Sequence, residues 1–257
     1  MKKNTIMIYG INTLYEAIKS KIKIYKIYLN KKNNKNNKNN KNNKNKKIKK
    51  IIKYSKKNNI SLNEIINFKK IEKKNHQGVF AIIDHIQLLK IENIIPMIYN
   101  SGKIPLLIIL DSITDVRNFG SIVRTSACTG VDAIIMATKN SVTINSDSIK
   151  TSSGGIFKIP ICKEKNIIKI IRYLKSFGIQ VIAVTEKTDN ICYKFNYKNP
   201  TAFILGSEEK GISKKYLSLC NNTVKLPLIK NSLTSLNVSV ACGAILYETI
   251  RQRLIES

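Results

Sequence analysis

The chain is short of acidic groups, histidines and long apolar runs, and each shortage removes a class of function. Only 16 Asp and Glu stand against 45 Lys and Arg, a formal net charge of +29. His76 and His85 are the only histidines and form no metal constellation. The cysteines, Cys128, Cys162, Cys192, Cys220 and Cys242, are odd in number and hold no C-x-x-C pair. That argues against a disulfide framework and a zinc site, and it fits a reducing cytosol. The apolar run Leu106 to Leu110 is as long as any and falls far below membrane-span length. Met1-Lys2-Lys3 precedes an apolar patch too short and broken for a signal peptide. No G-x-G-x-x-G follows a strand, and no Gly-Lys-Ser/Thr closes a glycine loop, which sets aside Rossmann oxidoreductases and P-loop enzymes. The expectation is a soluble protein of the cytoplasm that binds no metal and no membrane.

The excess of positive charge has two readings. Lysines that neutralise phosphates release counterions, so a polyanionic partner fits. Lys, Asn and Ile also crowd the whole sequence, as they do under AT-biased coding, and charge alone does not separate the two. With 257 residues, one or two domains can each bury a core. Leu14, Ala17, Ile18 and Ile22 repeat at helical spacing, with Asn12 or Thr13 placed to cap, and a strand follows at Ile24 to Leu29. Every residue of 31–47 is Lys or Asn, which predicts a solvated, disordered loop. Ile48, Ile51 and Ile52 suggest a helix beyond it with a solvated lysine face. His76-Gln77-Gly78 reads as a turn into a strand. Residues 86–103, mixed apolar and polar with Pro96 and Gly102, read as a linker with room for a helical turn. From Ile104 strands alternate with helices: strands at Leu106–Leu110, Ala133–Ala137, Ile156–Ile159, Gln180–Thr185, Ala202–Leu205 and Val224–Leu226, helices near 121–129, 166–177 and 238–253. That alternation predicts an α/β fold with a mainly parallel sheet, whose ligands collect at the carboxyl ends of strands.

Three segments fall at those ends. They are Asp115-Val116-Arg117-Asn118-Phe119-Gly120-Ser121-Ile122-Val123-Arg124-Thr125, then Ile204-Leu205-Gly206-Ser207-Glu208-Glu209-Lys210-Gly211, then Ser232-Leu233-Thr234-Ser235-Leu236-Asn237-Val238-Ser239-Val240-Ala241. In order and wording they resemble motifs 1, 2 and 3 of the SpoU-type RNA ribose 2′-O-methyltransferases of the SPOUT superfamily. Tyr9-Gly10 with the following helix, and His76-Gln77-Gly78, resemble the opening and close of that family's small RNA-recognition domain. The resemblance implies domains at 1–85 and 104–257, a C-terminal trefoil knot, and a homodimer through the knot region. It implies S-adenosylmethionine as methyl donor and RNA as substrate: a guanosine of 23S rRNA by the subfamily wording, with tRNA or a non-catalytic RNA-binding relic as alternatives.

Carried over residue by residue, the resemblance makes Arg124, Asn118, Glu208, Ser235 and Asn237 the catalytic group. Gly206, Leu226, Leu236 and Thr185 become the cofactor-binding group. The family usually has Pro where this chain has Val116, which predicts a looser loop at motif 1. Gly120 reads as a tight turn into the helix that carries Arg124. Taken singly, Asn118 reads better as a helix cap and Arg124 as a surface ion-pair partner, and Glu208 has a bland reading as a helix-terminal charge; the three motifs together reverse that preference for motif 1. A guanidinium stays charged near neutrality, so Arg124 is expected to hold a phosphate or stabilise developing alkoxide rather than remove a proton, helped by Ser235 or Glu208.

Overall fold

In the computed structural model, residues 5–30, 43–65, 74–229 and 234–254 are described. They form two compact units, Met1–Ile86 with Ile144–Lys158, and Gln87–Thr143 with Ile159–Ser257.

The first unit is built on a four-stranded sheet. Its strands are β1 (Thr5–Tyr9), β2 (Ile24–Asn30), β3 (Ser61–Ile65) and β4 (Val79–Asp84), in the order β1-β4-β2-β3. β4 runs antiparallel to both neighbours, while β3 is parallel to β2. Alternation sorts β4: Val79, Ala81 and Ile83 are buried, whereas Phe80 on the other face stacks on Tyr28 at 4.3 Å. Helices α1 (Ile11–Lys19) and α2 (Asn43–Lys57) pack on each other, burying Leu14, Ala17, Ile48 and Ile51.

Several expectations shift here. Asn12 and Thr13 lie inside α1 rather than at its cap. The cap position is Gly10, whose φ of 97° suits only glycine and where a Cβ would strike Lys150 Nζ. The amide of Ile11 instead donates to the distant Gln77 Oε1 at 3.1 Å. Residues 31–42 of the Lys/Asn run lie outside the described residues, but 43–47 open α2 and are helical. Ile144–Lys158, which the motif pattern places with the catalytic half, belongs to this unit. Here α5 (Ser146–Thr151) sets Ser146 Oγ on the Met7 carbonyl at 2.6 Å, and Asp147 bonds Tyr9 and Lys74.

The second unit carries a six-stranded sheet, β10-β8-β9-β5-β6-β7, with every pair parallel. The strands are β5 (Leu106–Asp111), β6 (Ala133–Ala137), β7 (Ile161–Glu164), β8 (Gln180–Val184), β9 (Thr201–Gly206) and β10 (Asn222–Val224). All six residues of β5 are buried, as a parallel strand covered on both faces requires. On one face, α3 (Ile91–Asn100) and α6 (Ile167–Ser176) join Leu107, Ile109, Ile135, Val181 and Ile204 in one core. α4 (Val116–Cys128) packs along α8 (Val238–Leu254), and α8 also meets β9. Cys242, Ile245, Leu246 and Thr249 make up much of its buried stripe.

Two further expectations give way. The stretch expected as a linker contains α3, whose Ile91, Ile94, Ile95 and Ile98 are core residues. The buried Glu164 carboxylate meets its first amide, at Ile91, at 3.1 Å. Ile156 and Phe157 sit in a 3-10 turn, not a strand. Pro160 has no N–H to give a ladder, so pairing with β6 starts one residue later, at Ile161 opposite Ile134.

Hydrogen bonds from Lys74 and then Tyr9 hold the Asp147 carboxyl below the ordinary carboxylate range. A depressed folded value adds stability above the unfolded carboxylate pKa and loses it as pH falls through the lowered value. The urea midpoint of the protein should therefore drop in acid below about pH 4, and less so in Asp147→Asn. An equal drop in both proteins would contradict this.

Candidate active site

β5, β8, β9 and β10 are parallel neighbours, so their carboxyl ends share one edge of the sheet. From β5 the chain runs outward to β6 and β7, then crosses to build β8, β9 and β10 on the other side. A crevice at such a reversal is where open α/β sheets bind ligands. A cavity of about 290 Å³ lies there, close to the lower end of small-ligand sites. Gly206, Thr185, Leu226 and Leu236 all line it, along with Ser235, Glu208 and the unexpected Glu186 and Lys187. Leu228 and Leu236 are each 40% exposed, leaving apolar wall open to a ligand.

The loop after β9 has a shape only glycine allows. The Gly211 amide donates to the Ser207 carbonyl at 2.8 Å, folding the loop back on itself. A Cβ on Gly206 would strike the Gly211 carbonyl and the Ile212 nitrogen. The loop exit is held by Asp111, which accepts from Ser213 N at 2.7 Å and Ser213 Oγ at 2.6 Å. Asp111 ends β5 and is 5% exposed. In the sequence it follows the apolar run Leu106–Leu110, outside the three motifs, and no motif marks this role. The available signal is a carboxylate ending a fully apolar strand, where it must find donors.

Three motif residues meet by hydrogen bonding. Asn118 Nδ2 donates to Glu208 Oε1 at 3.1 Å. Asn237 Nδ2 donates to the same oxygen and, at 2.9 Å, to Asn118 Oδ1. The Val238 amide also points to Glu208 Oε1, at 3.4 Å. Asn237 Oδ1 in turn caps α8, accepting from Ser239 N at 2.9 Å. Among the described residues nothing donates to Glu208 Oε2.

Motif 1 is helical from Val116, so Gly120 is a helix-interior residue and not a turn. The cap of α4 is Asp115, which accepts from Asn118 N at 2.7 Å, and the Asn118 side chain is free to face Glu208. Val116 is the first helical residue, where proline would only preset φ; the Asp115 cap secures that start in its place. Arg124 and Ser235 stay outside the hydrogen-bonded cluster. Both are exposed, and neither has a hydrogen bond or ion pair among the described residues. Burial pushes the Cys242 thiol of α8 up to about 12, so it offers no thiolate. Among the described residues no group of His, Cys, Asp and Glu could hold a metal, and no helix is long and apolar enough to cross a membrane.

Comparison with known proteins bears on this geometry. Residues 105–247 match the SpoU rRNA Methylase family, and residues 7–89 match the RNA 2′-O ribose methyltransferase substrate binding family. The chain is 31% identical over 203 residues to the 23S rRNA (guanosine-2′-O-)-methyltransferase RlmB of Blochmanniella floridana, covering 77% of this chain and 79% of that one. It is 27% identical to the putative TrmH family tRNA/rRNA methyltransferase YacO of Bacillus subtilis, over 95% of this chain and 94% of that one. A similar fold occurs in the SpoU methyltransferase AviRb from Streptomyces viridochromogenes in complex with AdoMet, with a TM-score of 0.76 and 19% identity, over 98% of this chain and 92% of that one.

Removing the Asp111 carboxylate strands the Ser213 donors. Asp111→Ala should cost about 2–3 kcal/mol, read as a lower urea midpoint at unchanged m-value. A midpoint equal to wild type would show that the loop exit is held by other contacts.

Proposed function

The chain belongs to the SpoU rRNA methylase family, and from that premise we propose that it transfers a methyl group from S-adenosylmethionine to a ribose 2′-OH of a guanosine in 23S rRNA, in the cytoplasm. The observation that carries this reading is the convergence of Asn118, Glu208 and Asn237, up to 119 residues apart, on one cavity edge. The cavity suits the donor's chemistry. Leu226, Leu228 and Leu236 offer apolar wall to an adenine, and Glu186 and Glu208 offer negative charge to a sulfonium. When bound, S-adenosylmethionine supplies an activated methyl group. Gly206 and the folded-back loop are the part of the wall that would hold it.

The protein's own groups position the acceptor. Glu208 is fixed through Oε1, so Oε2 is the open acceptor for the hydrogen of a ribose hydroxyl. Arg124, an exposed guanidinium with no partner among the described residues, takes the adjoining phosphate or the charge developing on the sugar oxygen. Ser235 lines the cavity and completes the polar rim. Holding acceptor and donor in line, with water excluded, supplies much of the rate in such a transfer.

We also infer a homodimer and a C-terminal trefoil knot, as family membership suggests. Supporting the dimer, Val240, Tyr247 and Leu254 are 55%, 60% and 66% exposed and recur every seven residues down α8. They lie opposite its buried stripe, so the helix has apolar surface on both sides.

Mapping of ribose methylation should find one guanosine of unmodified 23S rRNA methylated by the purified protein. Methylation confined to tRNA would redirect the substrate, and none on either RNA would sink the reading. Arg124→Ala should lower kcat about 10²–10³-fold, as loss of one transition-state donor does, with donor affinity unchanged. Gly206→Ala should instead weaken donor binding in calorimetry. Tyr247→Glu should sediment as a folded monomer where wild type sediments as a dimer.

A further inference from the structure

We propose that the lysine stripe of α2 is the surface on which the first unit docks the phosphate backbone of its RNA. The inference rests on the RNA substrate proposed above and adds a face, which the family match over residues 7–89 does not specify. α2 has eight lysines in 15 residues and no acidic residue. At about 100° per residue, Lys46, Lys50, Lys53 and Lys57 fall within about 60° of arc, opposite the buried Ile48, Ile51 and Ser55. All four are exposed, and three of them, Lys46, Lys53 and Lys57, have no hydrogen bond or ion pair among the described residues.

Such an arrangement is unfavourable without a counter-charge. Lys46 and Lys50, and Lys53 and Lys57, are like-charged pairs at i,i+4 that repel. The stripe continues onto α1, where the Tyr15 ring gathers the ammoniums of Lys19, Lys47 and Lys50 at 4.9, 5.4 and 5.7 Å from its centroid. In the second unit the basic groups of α8 behave otherwise. Arg251 pairs with Glu248 at 2.8 Å, and Arg253 donates to the carbonyls of Ile104, Pro105, Tyr197 and Asn199. Those charges are satisfied internally, whereas the α2 stripe is left for an external polyanion. A phosphodiester backbone supplies regularly spaced negative charge, and a helix ladder of ammoniums meets it with no demand on base sequence.

The test compares two full-length variants that each lose three positive charges. One carries Lys46→Gln, Lys53→Gln and Lys57→Gln, which remove no internal bond and keep helix propensity. The other carries Lys165→Gln, Lys169→Gln and Arg172→Gln on exposed positions at and just before α6. The probe is an unmodified 23S rRNA transcript titrated over a salt series, with methylation kinetics alongside. Expected for the stripe variant is a salt slope of log affinity smaller by about 2 to 3, since each lost phosphate contact removes about 0.7–0.9. KM for rRNA should rise about tenfold or more, with kcat and donor affinity unchanged and the α6 variant like wild type. Equal slopes in all three proteins, or an equal fall in both variants, would overturn the proposal. So would stripe-dependent binding to phosphatidylserine vesicles with none to rRNA. Stripe-dependent rRNA binding without any turnover would instead count against the methyltransferase reading and leave this face standing.

Discussion

One carboxylate oxygen, Glu208 Oε1, receives the Asn118 amide, the Asn237 amide and the first backbone N–H of α8. The contact draws the start of α4, the loop after β9 and the start of α8 to a single point. Each of these segments also has its own local restraint. Asp115 caps α4, Asn237 caps α8, and Asp111 holds the exit of the loop at Ser213. A hydrogen bond between groups already held in place loses little conformational entropy on forming, so the cluster is a preorganised feature and not a surface accident.

The sheet dictates where such a cluster can lie. Its central strands are buried on both faces and are almost wholly apolar, so polar chemistry is confined to strand ends. The reversal of strand order around β5 and β9 opens the crevice, and Gly206 lets the following loop fold back to wall it. Ser235, on the cavity wall, and Arg124, further along α4, have no hydrogen-bond or ion-pair partner among the described residues.

Charge is partitioned in a comparable way. Composition supports two readings of the net +29, bias or polyanion binding. The distribution of partners separates them locally. The α8 arginines are tied to a carboxylate and to backbone carbonyls, while three lysines on the solvent side of α2 are tied to nothing described. Positive charge that is unpaired and aligned has a physical direction that total charge lacks.

The parallel β/α half was legible along the chain, because buried parallel strands read as short apolar runs: Leu106–Leu110 and Ala133–Ala137 were marked by their residues alone, and the first strand runs one residue further, to Asp111. The motif residues stood out as polar groups at the ends of such runs, while the roles expected of them came from the family resemblance. Less visible were elements set by distant partners. α3 looked like a linker because Pro96 interrupts it, yet its isoleucines complete a core supplied by other strands. Ile156–Ile159 looked like a strand, but Pro160 moved pairing onto Ile161. Local sequence determined most of the strands and the helical stripes, since these follow from periodicity and residue type over a few turns. Only tertiary structure decided that Gln77 caps α1, that Asp111 binds Ser213, and that Asn118 and Asn237 share one oxygen of Glu208, because each depends on which distant donor reaches an acceptor once the chain has folded.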